Sequence, residues 1–429
     1  METYGCQMNK AESESILMSL TASGWTEGES ESDADLVILN TCSVRETAEE
    51  RIRGRLGHFR HAKKSRAFTL VLTGCMAERL KERIIDEHPE VDVVVGTFNK
   101  KDLLGAVHEA RAGHTRVVSA LKSPYKFAES HSASGIKAFV PIMHGCDNWC
   151  TYCVVPSVRG PEVSRPPDEI LAEIEVLEGR GVREATLLGQ NVNSYRCLTA
   201  EGLVSFPDLL RKVAERTRSI RWLRFLTSHP KDLSESLLEV MAGTPVLCRH
   251  VHLPLQSGST RVLGLMNRGY NAEQYLGLVR RVRAALSGVS ITTDILIGFP
   301  GESEDDFAQT LDLMREARFD DAFTYHYNPR EGTRAFSMPG AIAGDVKRKR
   351  LDKVIETQRV IGQGRAAERI GNEIDVLVEG VSKKDPGELL ARTEWDAMVV
   401  FSGHGSRVGD FQRVRLVSIS GSTFRAESL

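Results

Sequence analysis

The chain has 429 residues, 41% of them hydrophobic, with a formal net charge of −2 at pH 7. This length allows two to four domains, and no apolar run approaches the roughly 18 to 20 residues that cross a bilayer. Eight cysteines without an export signal are too few for a disulfide scaffold and favour a reducing cytosol.

Short apolar strands alternate with amphipathic helices in the first 118 residues, which predicts a parallel sheet. The expected strands are 1–5, 36–41, 68–73 and 91–96, and the expected helices include 9–22 and 44–61. Three of these strands lead into a cysteine, namely Cys6, Cys42 and Cys75. The carboxyl ends of parallel strands share one edge of a sheet, so we expect these thiols to lie together. The alternative is three unrelated buried cysteines, since free cysteine is often buried.

Residues 119–135, SALKSPYKFAESHSASG, lose all periodicity and predict a linker between domains. Six strand-helix units follow in about 230 residues, which predicts a complete or partial barrel of TIM type. The expected strands are 138–144, 184–190, 222–228, 250–256, 290–298 and 321–328, and the expected helices include 168–179, 206–217, 272–286 and 303–317.

Cys146, Cys150 and Cys153 follow the first barrel strand with the spacing C-x3-C-x2-C. This is the end of the barrel where ligands bind, and soft thiolates select zinc or iron–sulfur clusters. Three thiolates on a cubane 4Fe–4S cluster leave one iron open for a small molecule. The alternative is a zinc ion with a distant fourth ligand such as His144 or Cys197.

Polar or glycine-rich turns end the barrel strands, as a cofactor pocket requires, because glycine lets a backbone approach a ligand closely. The candidate cofactor-binding residues are Gly189, Gln190, Asn193, Ser228, Gln256, Gly298 and Tyr152. His229, His250 and His252 could carry protons, although a histidine on a barrel strand is more often structural. Cys197 and Cys248 have no partner at a ligand spacing.

The chain ends in a helix candidate from residue 344 to about 370, followed by short strands that predict a five-stranded β-barrel over about 60 residues. Such small barrels often bind RNA. Residues 51–66 contain seven Lys or Arg and no acid, and residues 347–350 read KRKR. Like charges repel one another unless an anion approaches, so these runs favour an RNA partner.

Together these segments resemble the methylthiotransferase family of radical S-adenosylmethionine (SAM) enzymes over almost the whole chain. The motifs, in order, are TYGCQMNKAESE, NTCSVRETAEE, TGCMAER, GCDNWCTYCVVPSVRGPEVSR, LLGQNVNSY, HLPLQSGS, MNRGY and DILIGFPGE. They look most like the branch that modifies isopentenyladenosine in tRNA, and the C-terminal module resembles a TRAM RNA-binding domain. One departure is Gly160-Pro161-Glu162, where the family usually has Gly-Arg-Glu.

The resemblance implies an α/β fold with an N-terminal parallel-sheet domain, a partial (βα)6 radical SAM barrel and a small OB-like TRAM barrel. The expected boundaries are 1–118, 119–135 for the linker, 136–365 and 366–429. It also implies two 4Fe–4S clusters. One is held by Cys146, Cys150 and Cys153 and cleaves SAM to a 5′-deoxyadenosyl radical, and an auxiliary cluster is held by Cys6, Cys42 and Cys75.

The implied reaction adds a methylthio group to carbon 2 of N6-isopentenyladenosine next to the anticodon and uses two SAM molecules per turnover. The carbon–hydrogen bond at this position is unactivated, so a cofactor radical must break it. The implied partners are tRNA, through its anticodon loop, and a reductant such as flavodoxin or ferredoxin. The protein is expected to be cytoplasmic and monomeric, without membrane contact.

Two other interpretations stay open at this stage. The same chemistry could act on threonylcarbamoyladenosine in tRNA or on an aspartate of a ribosomal protein. A non-catalytic iron–sulfur protein that binds RNA or senses redox state would explain the cysteines, but it would not explain the polar turns around the barrel mouth.

Overall fold

The computed structural model describes residues 1–43, 46–113, 116–118, 125, 127, 135–403 and 405–429. The predicted linker, 119–135, therefore lies almost entirely outside the described residues. In the described part of the chain, no helix combines the length and the hydropathy of a membrane span.

The N-terminal region is a parallel five-stranded sheet in the order β1-β2-β3-β4-β5, which confirms the predicted sheet. The strands are β1 (Glu2–Thr3), β2 (Leu36–Thr41), β3 (Thr69–Gly74), β4 (Val93–Val95) and β5 (Arg116–Val118). The helices are α1 (Gln7–Ala22), α2 (Glu46–Ala62), α3 (Cys75–Leu80), α4 (Glu82–Glu87) and α5 (Leu103–Arg111). The fifth strand was not predicted, because only two of its three residues are apolar, whereas all three residues of β4 are valine.

The central region carries six parallel strands in two three-stranded sheets, with the orders β12-β9-β6 and β13-β14-β15. A parallel bridge between Leu223 and Leu247 connects the two sheets, so they form one incomplete barrel, as predicted. The six strands are β6 (Lys137–Pro141), β9 (Glu184–Leu188), β12 (Trp222–Phe225), β13 (His250–His252), β14 (Ser290–Ile297) and β15 (Asp321–His326).

Other elements of this region surround the barrel strands. The additional strands are β7 (Met143–His144), β8 (Val163–Ser164), β10 (Arg196–Thr199) and β11 (Gly202–Ser205). The helices are α6 (Val155–Arg159), α7 (Pro167–Gly179), α8 (Phe206–Arg216), α9 (Glu235–Gly243), α10 (Thr260–Leu265), α11 (Ala272–Ala285) and α12 (Glu304–Ala317). The largest hydrophobic core of the protein lies between these helices and the barrel strands.

The C-terminal region consists of helix α13 (Gly344–Ala367) and a closed five-stranded barrel in the order β16-β17-β18-β20-β19, as predicted. Its strands are β16 (Glu373–Val381), β17 (Glu388–Thr393), β18 (Met398–Ser402), β19 (Phe411–Ser420) and β20 (Thr423–Ser428). This barrel docks against the amino ends of the central strands, where Arg224 donates to the carbonyl of Thr393 at 2.8 Å. It therefore lies at the end of the central barrel opposite to the cysteine loop.

The turn after β13 is held tightly by helix α12. The backbone N–H of Gly258 donates to the hydroxyl of Thr310 at 2.9 Å, and the hydroxyl of Ser259 donates to Asp306 at 2.6 Å. A Cβ at position 258 would lie 2.5 Å from the Cα of Thr310, closer than real Cβ atoms approach backbone. Only glycine fits this turn, which also carries the candidate cofactor residue Gln256.

We predict that Gly258→Ala lowers the free energy of unfolding by about 1–3 kcal/mol, because helix α12 must move to admit the methyl group. Gly264→Ala is the matched control: it lies in α10, and a Cβ added there would have no heavy atom within 4 Å, so the change should be neutral or slightly stabilising. Urea unfolding of the two variants, followed by circular dichroism, tests this. Equal urea midpoints for the two variants would contradict it.

Candidate metal and cofactor site

Cys6, Cys42 and Cys75 lie together at the carboxyl edge of the N-terminal sheet. Cys42 directly follows β2, Cys75 begins helix α3 directly after β3, and Cys6 lies three residues after β1. Gly5 has φ 109, and a Cβ there would lie 2.9 Å from the sulfur of Cys42. The strand order β1-β2-β3 thus places three thiols from distant parts of the chain on one edge of the sheet.

Cys146, Cys150 and Cys153 occupy the loop between β7 and helix α6. The N–H of Cys146 donates to the carbonyl of Gly160 at 3.1 Å, and the N–H of Cys153 donates to the carbonyl of Cys150 at 3.0 Å. A Cβ on Gly145 would lie 1.9 Å from the carbonyl oxygen of Pro161, so the backbone at 160–161 packs directly against this loop. Pro161, where the sequence departs from the family pattern, thus contributes a backbone atom to this close approach.

Burial, with a smaller contribution from Cys150, raises the pKa of Cys146 to about 11 and that of Cys153 to about 12. Burial also raises the pKa of Cys75. Burial therefore disfavours the free thiolate at these three positions. Sets of three cysteines nevertheless fit a metal centre by donor type, because soft sulfur donors bind zinc and iron–sulfur clusters.

A single metal ion and an iron–sulfur cluster place different demands on three thiolates. Among the described residues, no three Cys, His, Asp or Glu side chains converge closely enough to hold one metal ion. A zinc ion with Zn–S bonds of about 2.3 Å would need its sulfurs about 3.8 Å apart, whereas each thiolate of a cluster binds a different iron. The alternative ligand His144 instead stacks on Tyr125, with ring centroids 3.7 Å apart.

The candidate cofactor residues fall into two groups. Asn193 lies at the mouth, where its Oδ1 accepts from the hydroxyl of Ser228 at 3.2 Å. Its Nδ2 is buried and has no hydrogen-bond partner among the described residues, and the same holds for Asn148 Nδ2 and His229 Nε2. A buried donor without a partner is costly, so three around one mouth indicate a polar ligand there.

The other candidates serve contacts within the chain. Gln190 accepts the N–H of Gly145 at 2.6 Å and so holds the cysteine loop. A Cβ on Gly298 would meet the Lys347 side chain at 2.6 Å, and one on Gly189 would meet Met143 at 2.3 Å. These two glycines are therefore required at least for packing.

Arg268, which the sequence patterns did not single out, contacts the cysteine loop directly. Its guanidinium donates to the sulfur of Cys150 at 3.3 Å, to the hydroxyl of Tyr152 at 3.2 Å and to the carbonyl of Pro254 at 2.9 Å. The position of this arginine in the motif MNRGY was the available signal. Donors to a cluster sulfur tune its reduction potential.

The three candidate histidines differ in role. His250 Nε2 and His252 Nδ1 contact the hydroxyl of Thr292 at 2.9 and 3.0 Å inside the barrel. His229 Nδ1 accepts the backbone N–H of Lys231 at 3.3 Å, so its proton resides on Nε2. Burial, together with Arg268 and Lys231, lowers the pKa of His229 to about 2. His229 is therefore a neutral donor, whereas a proton carrier would titrate near neutral pH.

The fold modifies the charge argument for an RNA partner, because distant segments supply acids to part of each basic run. The ion pairs are Arg55 with Glu2 and Glu31, Arg60 with Glu90, Lys63 with Asp92, and Arg350 with Glu302 and Glu304. Three of the seven cations in 51–66 and one of the four in 347–350 are thus paired with acids of other segments. The case for RNA therefore also needs other observations.

Arg159 joins the two cysteine sites. It ends helix α6, is 2% exposed, and donates to Glu12 of helix α1 at 2.8 Å and to Asn9 Oδ1 at 3.0 Å. The same Asn9 oxygen lies 3.8 Å from the sulfur of Cys6, and Lys100 also pairs with Glu12. Arg159 therefore connects the loop of one cysteine set to the surroundings of the other.

The charges of this network act on one another and on Cys75. Burial alone would raise the pKa of Glu12, but Arg159 and Lys100 lower it to about 2. The same two cations lower the pKa of Cys75, although burial outweighs them. Glu12 in turn favours the charged form of Lys100, although burial lowers the pKa of this lysine. Arg159, Lys100 and Glu12 thus form one buried ionic network beside Cys75.

Three family models match successive parts of the chain. The model described as "Uncharacterized protein family UPF0004" matches residues 1–96, the Radical SAM superfamily matches 140–314 and the TRAM domain matches 367–427. They correspond to the N-terminal sheet, most of the incomplete barrel and the C-terminal barrel.

Relatives match along the whole length. The chain is 48% identical to a Treponema denticola protein named tRNA-2-methylthio-N(6)-dimethylallyladenosine synthase, over 99% of this chain and 98% of that one. A protein of the same name from Syntrophotalea carbinolica is 42% identical over 97% and 96%. The radical SAM methyltransferase TsrM from Kitasatospora setae has a TM-score of 0.54 at 15% identity, over 73% of this chain and 69% of that one, which shows the fold alone.

We predict that Arg159→Ala lowers the free energy of unfolding of the metal-free protein by about 3–5 kcal/mol, because Glu12 loses a partner while it stays buried. Arg315→Ala is the control, since Arg315 forms an exposed pair with Asp312 and should cost less than about 1 kcal/mol. Urea unfolding monitored by circular dichroism provides the measurement. A loss no larger than that of the control would contradict the role given to Arg159.

Proposed function

The chain belongs to the family of tRNA-2-methylthio-N(6)-dimethylallyladenosine synthases, and on that premise we propose how it acts. It is a radical SAM enzyme and a transferase. Its reaction adds a methylthio group to carbon 2 of N6-isopentenyladenosine, next to the anticodon of tRNA. The relatives carry the name of this branch, which favours it over the threonylcarbamoyladenosine and ribosomal-protein branches.

One observation carries the proposal, namely that two three-cysteine sites meet across a single interface. Cys75 packs against Val154 and Val158 of the segment that follows Cys153. A radical site and a sulfur site must act on the same carbon, so they must face one substrate from nearby positions. A redox sensor that binds RNA would not need this proximity.

The six cysteines would hold the two 4Fe–4S clusters, with Cys146, Cys150 and Cys153 in the barrel and Cys6, Cys42 and Cys75 in the N-terminal domain. When bound, the barrel cluster and SAM supply the radical that breaks a carbon–hydrogen bond no side-chain acid or base could break. The chain positions the cofactors. Gln190 and Arg268 hold the loop with the barrel cysteines, and Arg159 holds the interface between the barrel and the N-terminal domain.

SAM would bind at the barrel mouth, among Gly189, Gln190, Asn193, Ser228, Gln256, Gly298 and Tyr152. The unpartnered donors Asn193 Nδ2 and His229 Nε2 support a polar ligand at this place. Ser228 is buried and its hydroxyl already fixes the orientation of the Asn193 amide. Ligand binding would therefore cost little side-chain entropy at Asn193.

We assign residues 1–118 to the auxiliary cluster domain, 119–135 to a linker, 136–365 to the radical SAM barrel and 366–429 to RNA binding. We propose that the protein acts in the cytoplasm, since its proposed substrate is tRNA. A flavodoxin or ferredoxin would supply electrons, and the protein would act as a monomer.

The proposal predicts a mass gain of one methylthio group on isopentenyladenosine. Anaerobically reconstituted protein is incubated with SAM, a reductant and tRNA carrying this nucleoside, and the digested nucleosides are weighed by mass spectrometry. Cys150→Ala should give no product. Abundant 5′-deoxyadenosine without the mass gain would contradict the substrate assignment and leave the radical chemistry standing.

A second prediction separates the two cysteine sets. Cys6 is exposed, so Cys6→Ala disturbs packing least among the auxiliary thiols and should abolish methylthiolation while SAM cleavage continues. Cys150→Ala should abolish both. Chromatographic assay of 5′-deoxyadenosine, with iron content per chain as the control, distinguishes these outcomes. Loss of SAM cleavage in Cys6→Ala with the barrel cluster intact would contradict separate roles.

A further inference from the structure

Exposed aromatic rings are concentrated in the central barrel. Among the described residues, the aromatic side chains classed as exposed are Trp149 at 63%, Phe336 at 53% and Phe323 at 50%. Trp222 and Trp395, in contrast, are buried at 6% and 9%. Large aromatic side chains are mostly buried in folded proteins, and two of the exposed rings lie on loops beside the barrel cysteines.

Hydrogen bonds fix the positions of these two loops. Trp149 lies between Cys146 and Cys150, and its carbonyl accepts from the side chain of Asn267 at 2.9 Å. Two residues further on, the carbonyl of Thr151 accepts the N–H of Ala335 at 2.8 Å, and Phe336 is the next residue.

Thr151 and Ala335, which join the two loops, are buried at 3% and 1% exposure, and Cys150, next to Trp149, is also buried. The backbone beside each ring is therefore tied to buried residues of the barrel mouth. The two rings extend from a firm base on one rim and do not depend on a free loop for their exposure.

Two cations without an ion pair among the described residues lie near the rim, together with the exposed carboxylate of Asp147. Arg334 begins the 3-10 turn that contains Phe336, and its side chain is exposed and has no ion pair with the described residues. Lys231, after β12, is also exposed and has no ion pair there. Aromatic rings beside unpaired cations are the combination that binds single-stranded nucleic acid, with the bases stacked and the phosphates neutralised.

Building on the proposed function, we propose that Trp149 and Phe336 form a stacking platform for the unpaired anticodon-loop bases that flank the modified adenosine. The adenosine itself must pass inward to reach both cysteine sites. Its neighbours stay at the rim, where their faces are open because loop bases are not enclosed in a duplex. The platform would hold the loop splayed while the target base is inserted.

Binding of a stem-loop RNA to the reconstituted holoenzyme tests the platform without relying on turnover. The probe is an anticodon stem-loop with N6-isopentenyladenosine and a fluorescent label at its 5′ end, titrated by anisotropy. Trp149→Ala and Phe336→Ala should each raise Kd about 5- to 100-fold, the range expected for one lost base stack. Trp149→Phe should restore most of the affinity, and Trp149→Leu should not.

Two controls make the result specific. Leu198→Ala removes an apolar side chain that is 81% exposed in β10 and should leave Kd unchanged. A stem-loop with abasic sites on both sides of the modified adenosine should bind the wild type and Trp149→Ala equally. Iron content per chain must match among the variants, because Trp149 lies between two cysteines.

The outcomes separate this inference from the proposed function. Wild-type Kd values for both alanine variants, or wild-type binding by Trp149→Leu, would overturn the platform while leaving the function intact. Failure of the wild-type holoenzyme to bind any anticodon stem-loop would overturn the proposed function together with the platform.

Discussion

The buried contact between Arg159 and Glu12 is the constraint on which the rest of the arrangement depends. Both side chains are almost completely enclosed, and each belongs to a different folding region. A buried charge without its partner is strongly unfavourable. The barrel and the N-terminal sheet must therefore meet at one particular place, which sets the distance between the two cysteine sites.

Helix α6 is the physical link in this arrangement. It begins two residues after Cys153, packs against Cys75 along one side, and ends on Arg159. Thr97 of the N-terminal region donates to the carbonyl of Val158 at 2.6 Å. A helix of five residues has little freedom when both ends and one face are held. The spacing of the two reaction centres is thus built into the backbone.

Polar side chains at the barrel mouth fall into two sets, one that holds the cysteine loop and one that is available to a ligand. Gln190 and Arg268 use their polar atoms to hold the cysteine loop, while Asn148, Asn193 and His229 keep one donor each without a partner among the described residues. The first group fixes the frame and the second remains available to a ligand. Beyond this frame, the exposed rim carries aromatic rings and cations, which suits the approach of RNA.

Sequence alone determined the three-part fold, the two cysteine sets and the position of the mouth. The signals were local patterns: strand periodicity, the C-x3-C-x2-C spacing and cysteines that follow successive strands. In a parallel sheet, residues that follow successive strands lie at the same edge, so these patterns also predict position. The family resemblance supplied the chemistry. The strand β5 was missed because only two of its three residues are apolar.

Only the tertiary structure decided which polar groups are partnered. The basic run 51–66 contains no acid of its own, and the acids that pair with it, Glu2, Glu31, Glu90 and Asp92, lie far from it in sequence until folding brings them beside it. Arg159 likewise has no neighbour in sequence that would mark it as the bridge to Glu12. Hydrogen bonds and ion pairs between distant segments form only when folding brings those segments into contact. No local sequence pattern shows which segments will be in contact.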